Sequence, residues 1–497
     1  MSTEARHRGL LLAASAACAL NAAYIAFTPY TALHHADSLI PILVSVAKWT
    51  PFYWGQDRFG MLIPLLAWPV RSPYANLVVQ TALWVFCGEL FFFLLPRWLR
   101  LRNWAIAGAI GNALFLLQAQ GVTFTMNVMP YLQSMTPLLI GLLLLEPGGE
   151  GIRRSRLNTA ARVAGFVVLG AASLWVSPAS FLQLGPLIAL RTAIDGWRSG
   201  RLKGLLVRMA GVMGWLAIAT KLSLYLSSQM NADHTTNDLV PMRDWWNGAK
   251  RLYDGAAAPP WPGPGVWSDW YPKLFLALCV LGLAPALVWK KTRRDGLAAL
   301  GWAAVCACAA AGTWLIASAS AHVLSNGYAW RYIEPALVLL LAITSILAAA
   351  ASPVVTPQLK APAVFLLSAL ALGCAGGFTY GPPKAYVVSE TFRPKYGALA
   401  QELVQSRCAL LYGDYWTVWP AVFEARQRLY SAGEKRAVFA LSTRSASIMD
   451  EVAKVPPTEL CVAIPNQYGR PPVFNYPGLP PLPAKQALAS LTAYGPP

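Results

Sequence analysis

The chain has 497 residues, 56% of them hydrophobic and only 12% charged, against about 25% charged in a soluble domain, which excludes a single globular enzyme and leaves a polytopic membrane protein. Its net charge of +18 sits in short clusters between apolar runs. That is the pattern of cytoplasmic loops, so the charge speaks for topology and against nucleic acid.

Arg6 and Arg8 precede an apolar run reaching about Phe27, longer than a signal-peptide core and followed by no clean cleavage site. The run reads as a retained first membrane helix, cytoplasmic end first. A span needs about 20 mostly apolar residues. Such runs fall at 9–28, 74–96, 103–121, 129–146, 160–177, 178–193, 205–226, 272–289, 297–319, 333–351 and 361–380, about eleven spans. The fifth and sixth are short and divided at Ser177-Pro178, as in a tight or re-entrant hairpin. Every second loop is basic: Arg97, Arg100 and Arg102; Arg153, Arg154, Arg156 and Arg162; Arg191, Arg198, Arg201, Lys203 and Arg208; Lys290, Lys291, Arg293 and Arg294. The intervening loop 118–129 has no Lys or Arg. The charge rule then places the N-terminus inside and, with an odd number of spans, the C-terminus outside.

Three outer segments follow, 29–73, 227–272 and 322–332, within a membrane domain of residues 1–380. The first carries an amphipathic candidate, Asp37 to Trp49, with Leu39, Ile42, Leu43 and Val46 at helical spacing, expected to lie along the membrane surface. The second is rich in Trp, Pro and Gly. From about Gly381 charged residues return and no run is long enough to span. Segments 407–412, 436–441 and 460–464 read as buried strands with helix-like sequence such as 418–426 between them. This alternation predicts a small α/β domain with a parallel sheet over 381–497. No glycine-rich phosphate loop opens it. The Pro-rich tail after Gln467 is expected to wrap the surface in extended form. Cys408 and Cys461 both fall in this part, as a disulfide or as two free thiols. No internal repeat or inverted pair of broken helices is visible, which weakens a transporter reading.

Polar residues suited to chemistry gather on the expected outer face. Asp37, beside the first span, can take a proton from an acceptor hydroxyl; its structural alternative is a helix N-cap. His34 and His35 are adjacent and so point apart, poor spacing for a shared metal but suited to hydrogen bonds with phosphate or sugar. A metal shared by Asp37 and one of them is possible and not favoured. Gln56 and Arg58 continue this stretch. Arg58, Lys221, Arg243 and Arg331 are the cations nearest the outer face, and a lipid-linked phosphate needs such groups, above all Arg with its fork of donors. Their alternatives are ion pairs, Arg331 with Glu334 for one, or snorkelling to the interface. Glu89 lies in an apolar helix toward the cytoplasmic half, where packing or protonation is the simpler reading. Trp245, Trp246, Trp261, Trp267 and Trp270 read mostly as interfacial anchors, some able to stack on a sugar.

In architecture the chain resembles the GT-C glycosyltransferases: an inside N-terminus, a large first outer loop with an acidic residue, a long outer loop after the seventh span and a closing soluble domain. His35-Ala36-Asp37-Ser38 resembles the acidic first-loop motif, Asn326-Gly327-Tyr328-Ala329-Trp330-Arg331-Tyr332 the Arg-Tyr element entering a late helix, and Gly413-Asp414-Tyr415-Trp416 a segment of C-terminal domains of bacterial members. The resemblance implies an inverting transfer from a polyprenyl-phosphate-linked sugar donor to an extracytoplasmic glycan, lipid or protein acceptor, in a bacterial inner (plasma) membrane. Asp37 would be general base, and His34, His35, Gln56, Arg58, Lys221, Arg243, Tyr328, Arg331 and Tyr332 would hold donor phosphate or sugar. Many members carry two adjacent acidic residues in the first loop. Here Ser38 follows Asp37 and Asp57 is distant, which favours Asp37 acting alone without a metal. The rival classes are a transporter or lipid flippase and a non-catalytic envelope-assembly protein.

Overall fold

Each of the eleven apolar runs forms a helix in the computed structural model, which describes all residues except 1–2, 33–35, 55, 57–58, 118–129, 147–155, 200–201, 230–237, 258–269, 328–329, 353–360, 443–444, 456–459, 469–472, 476–478 and 496–497. The helices, in chain order, are α1 (Thr3–Ala26), α2 (Ala36–Val46), α3 (Leu62–Ala67), α4 (Pro73–Trp98), α5 (Trp104–Leu117), α6 (Tyr131–Leu144), α7 (Arg156–Val176), α8 (Ala179–Ser199) and α9 (Leu202–Ser228). They continue as α10 (Trp245–Ala257), α11 (Trp270–Val288), α12 (Arg293–Ala319), α13 (Ala321–Ser325), α14 (Glu334–Ala348), α15 (Ala361–Tyr380), α16 (Val387–Gln405), α17 (Tyr415–Ser431) and α18 (Met449–Val452). Among the described residues six helices, within α1, α4, α7, α9, α12 and α15, are long and apolar enough to cross a membrane; α2, α5, α6, α11 and α14 are shorter apolar helices. The chain is a mostly helical, multi-pass membrane protein with a small C-terminal sheet. Its contacts form two compact units.

The first unit comprises Met1–Ala23, Trp84–Tyr225 and Thr235–Tyr380. With no hydrophobic drive between helices in lipid, close backbone approach carries the packing. At Gly282 in α11 an added Cβ would stand 2.3 Å from the Leu347 carbonyl oxygen of α14, so only glycine fits. At Gly108 in α5 it would meet the Phe93 ring of α4 at 2.2 Å. Ala309 and Ala310 of α12 form a core with Ala336 and Leu339 of α14. Glu89 is fully buried in α4 and accepts a hydrogen bond from Asn21 of α1.

Side chains from the basic loops converge at one end of this unit. Glu146 bonds Arg191 and lies 3.7 Å from both Arg97 and Arg100; Arg100 reaches Asp195 at 2.9 Å; Arg102 lies 3.8 Å from Asp295. Residues that the charge rule assigns to one side are thus joined by ion pairs. Segments assigned to the other side also meet. The Val240 N–H donates to Ala319 at 2.8 Å, the Ala321 N–H to Asp238 at 2.9 Å, and the Trp314 indole N–H to Ala249 at 3.2 Å.

The second unit comprises Tyr24–Leu83, Leu226–His234 and Gly381–Pro497. Its six-stranded sheet has the order β2-β1-β3-β6-β5-β4, from Leu410–Tyr412 (β1), Phe439–Leu441 (β2), Val462–Pro465 (β3), Val473–Phe474 (β4), Leu482–Ala487 (β5) and Leu491–Tyr494 (β6). β1 pairs in parallel with β2 and β3, as the alternation predicts. The tail after Gln467 differs from expectation. It returns as three antiparallel strands, and β6, buried at every residue, pairs with β3. Apolar Leu491, Ala493 and Tyr494 give β6 a buried surface that a wrapping segment lacks. The Glu402 carboxylate of α16 accepts from the N–H groups of Ser490 and Leu491 at 2.8 and 3.2 Å and fixes the turn before it. Cys408 and Cys461, just before the parallel neighbours β1 and β3, form a disulfide.

The first outer segment packs within this second unit. Helix α2 spans Ala36–Val46, and nine of its residues are buried, Ser38, Ile40, Pro41, Val44 and Ser45 among them. It is therefore a buried helix and not one lying on a surface, and α17 packs against it. Lys48 bonds Asp450, the Tyr74 hydroxyl bonds Glu424, and the Gln427 side chain accepts from Ser72 Oγ at 3.0 Å and the Tyr74 N–H at 3.1 Å. Trp54 and Trp419 rings lie 5.8 Å apart.

Candidate active site

Asp37 is the second residue of α2, inside the helix rather than at its N-cap, and it is half-buried. Pro41 stands four residues on and has no N–H, so the Asp37 carbonyl lacks the helical donor that any other residue at 41 would supply. Tyr53 replaces it: its hydroxyl donates to the Asp37 carbonyl at 3.0 Å. The Asp37 carboxylate accepts a hydrogen bond at Oδ1 from the hydroxyl of Tyr415, the first residue of α17. The two phenol oxygens lie 3.3 Å apart.

Tyr415 is held in place by local chemistry. Asp414 caps α17, accepting the Trp416 N–H at 2.9 Å. The Tyr468 hydroxyl donates to the other Asp414 oxygen at 2.5 Å and accepts the Asp414 N–H at 3.2 Å. Gly413 makes this possible, since a Cβ there would fall 2.7 Å from the Tyr468 ring. Slight burial pushes the Asp414 carboxyl up, but hydrogen bonds from Thr417, Tyr468 and the main-chain N–H groups of Trp416 and Thr417 together hold it below the usual carboxylate range. A depressed folded-state value means that this stabilisation is complete above the unfolded carboxylate's ordinary value and is lost as pH falls through the folded one. Asp414→Ala is expected to lower stability by about 1 kcal/mol, the worth of an N-cap. Its unfolding midpoint should differ from that of the parent at neutral pH, and the difference should shrink toward acid pH; a difference independent of pH would count against the cap.

Gln56 is buried in the same unit, its N–H donating to the Tyr53 carbonyl at 3.0 Å. The chain closes on itself here: the Tyr53 N–H reaches Phe59 O at 3.1 Å, and Phe59, buried, has φ +63°, costly for a bulky residue. His34, His35, Asp57 and Arg58 lie outside the described residues, and so does any metal shared between Asp37 and a histidine.

In the first unit the remaining candidates occupy the ends of α9, α10, α13 and α14. Lys221 and Arg243 are exposed, Arg243 standing 3.9 Å from Asp244. Tyr332 is buried and its hydroxyl meets His322 Nε2 at 3.3 Å. Arg331 lies in the 3-10 turn Trp330–Ile333, and its side chain and Tyr328 lie outside what the structure describes, so the expected pair with Glu334 does too. Glu334 is buried at the start of α14. An apolar cavity of about 650 Å³ lies between α10, α12 and α14, lined by Trp245, Trp246, Trp314, Ala310, Ala336 and Leu340. Trp261 and Trp267 lie outside the described residues. Among the described residues no three His, Cys, Asp or Glu side chains gather as a metal requires.

Sequence reasoning does not single out Tyr53, Tyr415 and Tyr468, whose hydroxyls bond Asp37 and Asp414. The available signal was Gly413-Asp414-Tyr415-Trp416, a glycine and an N-cap residue before a helix, whose tyrosine is then fixed in position.

No family model matches the chain, and no curated protein matches it. Among solved structures it is similar to ArnT from Cupriavidus metallidurans bound to undecaprenyl phosphate, with 13% identity, 97% of each chain covered and a TM-score of 0.44. It is also similar to the same protein in its apo state, with 11% identity, 97% of this chain and 96% of that one covered and a TM-score of 0.35.

Proposed function

We propose that the chain is a GT-C-type membrane glycosyltransferase that moves a sugar from a polyprenyl-phosphate carrier to an acceptor outside the cytoplasm, with Asp37 as general base. The observation that carries this reading is the Asp37 carboxylate, a half-buried acid a short step beyond a membrane-length helix and oriented by a tyrosine hydroxyl. In the step proposed, the acceptor hydroxyl gives its proton to Asp37 and its oxygen attacks the anomeric carbon. The bond from that carbon to the carrier phosphate breaks, and the phosphate leaves with the electron pair. His34, His35, Gln56, Arg58, Lys221, Arg243, Tyr328, Arg331 and Tyr332 are proposed to hold that phosphate or the sugar, because charge developing on the leaving oxygens needs fixed donors. The cavity lined by Trp245, Trp246 and Trp314 has the apolar character an isoprenoid chain requires. Undecaprenyl phosphate, bound in one of the ArnT structures, is the carrier to try first.

The experiment is a comparison of envelope glycolipids, polysaccharides and glycoproteins by mass spectrometry with and without the gene. Loss of one sugar mass from one class is the expected result and identifies sugar and acceptor together. Identical profiles would remove the enzyme reading in favour of transport or assembly. Orientation has its own test. Ala489 is exposed in the turn before β6, so Ala489→Cys is expected to react with an impermeant maleimide on intact cells or spheroplasts. Protection until the membrane is broken would reverse the topology and remove the outer site.

A further inference from the structure

Gly413-Asp414-Tyr415-Trp416 lies far along the chain from the candidate base, yet it ends on it. Tyr415 and Asp37 are separated by 378 positions, and their contact is made inside one compact unit. We infer that Tyr415, backed by Tyr53, is a positioning residue that the C-terminal region supplies to the base, so that the membrane-proximal segment alone does not make a competent site. The inference rests on Asp37 being the base and adds which residues aim it.

The donor count supports this. A phenol has one hydrogen. Tyr53 commits its hydrogen to the Asp37 carbonyl, which Pro41 leaves without a helical donor. Tyr415 commits its hydrogen to Asp37 Oδ1. At the 3.3 Å contact between them the Tyr53 oxygen is then left as an acceptor. This arrangement serves both protonation states of Asp37. While Asp37 is ionised, Tyr415 donates to Oδ1 and restrains the plane of the carboxylate. If the proton arrives at Oδ2, Oδ1 becomes a carbonyl oxygen and still accepts from Tyr415. If it settles on Oδ1, that O–H donates to Tyr415, whose own hydrogen turns to the Tyr53 oxygen. In each case the bond between Tyr415 and Asp37 Oδ1 survives the change of charge, and losing it would cost a half-buried hydrogen bond.

Tyr415 itself is held by the residues that start its helix. Tyr468 pins Asp414 from the 3-10 turn after β3, Asp414 caps α17, and Gly413 admits the Tyr468 ring. Rigid support of this kind is what aiming a catalytic group requires, because small misplacements of reacting atoms cost large factors in rate.

The test uses the full-length chain in membranes of a strain lacking it, which contain their own donor and acceptor. The glycan mass change is followed in time, in H2O and in D2O. Tyr415→Phe is expected to slow the change about tenfold, the worth of one hydrogen bond to a charged group, and to raise its solvent isotope effect as proton transfer becomes limiting. Asp37→Asn combined with Tyr415→Phe is expected to be no slower than Asp37→Asn, since residues acting through one group are not additive. Tyr53→Phe is expected to slow the change about threefold and decides the matter if Tyr415→Phe fails to accumulate. Wild-type rates in Tyr415→Phe, or in Tyr53→Phe where that variant must decide, beside an inactive Asp37→Asn overturn the inference and leave the base assignment standing. A slow variant with an unchanged isotope effect, or additive losses in the double variant, overturns it as well, because that is the mark of a structural role. An active Asp37→Asn removes the base assignment and this inference with it.

Discussion

Asp37→Asn is expected to accumulate in the membrane at the level of the parent and to transfer sugar at least about 10²-fold more slowly, the lower end of what general-base catalysis supplies. The substitution is nearly isosteric. The amide oxygen of the new side chain can still accept from Tyr415, and the backbone carbonyl at this position can still accept from Tyr53, so both contacts survive the substitution. What is lost is the ability to take a proton. The measurement is the rate at which the envelope glycan mass changes after induction in a strain lacking the gene. A wild-type rate would move the base to another residue or leave a base unnecessary. The same variant separates the enzyme from a non-catalytic assembly factor, which has no use for a proton acceptor at this position. A buried acid does exist elsewhere, Glu89, but it is bonded to Asn21 within the helices of the first unit, and nothing among the described residues makes it part of a pathway.

Replacing Cys408 and Cys461 together by serine is expected to be the most destabilising change in the second unit. The bond closes a loop with a sequence separation of 53. Chain entropy alone then assigns it about 4 kcal/mol. The bridged residues are buried, immediately upstream of β1 and β3, and Gly413 and Tyr415 follow directly from β1. Loosening this pair of strands should therefore appear both in earlier unfolding of the C-terminal region, read by protease sensitivity against temperature, and in slower transfer. Disulfides persist in oxidising compartments, so this bond is in keeping with the proposed outward orientation of the second unit. Maleimide-PEG should add to these two thiols only after reduction. Addition without reductant in a freshly quenched sample would argue against both the bond and the orientation.

The helices were legible before any coordinates because lipid permits one solution. A backbone in hydrocarbon must satisfy its own hydrogen bonds, so an apolar run of sufficient length becomes a helix whatever its neighbours are. Runs read at 74–96 and 361–380 appear as Pro73–Trp98 and Ala361–Tyr380. The parallel part of the sheet was legible for a similar local reason: short apolar strands alternating with helices leave little choice of connection. Polarity misled in two places. The Pro-rich tail looked like surface wrapping, whereas β6 depends on a partner, β3, that its own sequence does not name. Helix α2 looked two-faced, whereas its polar positions Ser38 and Ser45 are buried, and Ser45 Oγ donates to the Pro64 carbonyl at 2.9 Å and accepts from Asn76.

By itself the sequence determined that this chain is built of membrane helices, which loops carry the positive charge, and that a small α/β region follows them, and it singled out Asp37 as the acid to propose. These follow from periodicity, length and charge, properties that each segment carries alone. The tertiary structure decided what surrounds the acid. Pro41 frees the Asp37 carbonyl through a vacancy visible in the sequence, but that Tyr53 fills it, and that Tyr415 reaches the carboxylate from the far end of the chain, depends on α2 and α17 packing together. Hydrogen-bond partners are chosen by proximity in space, and a pair separated by 378 positions leaves no periodicity or spacing from which proximity can be read.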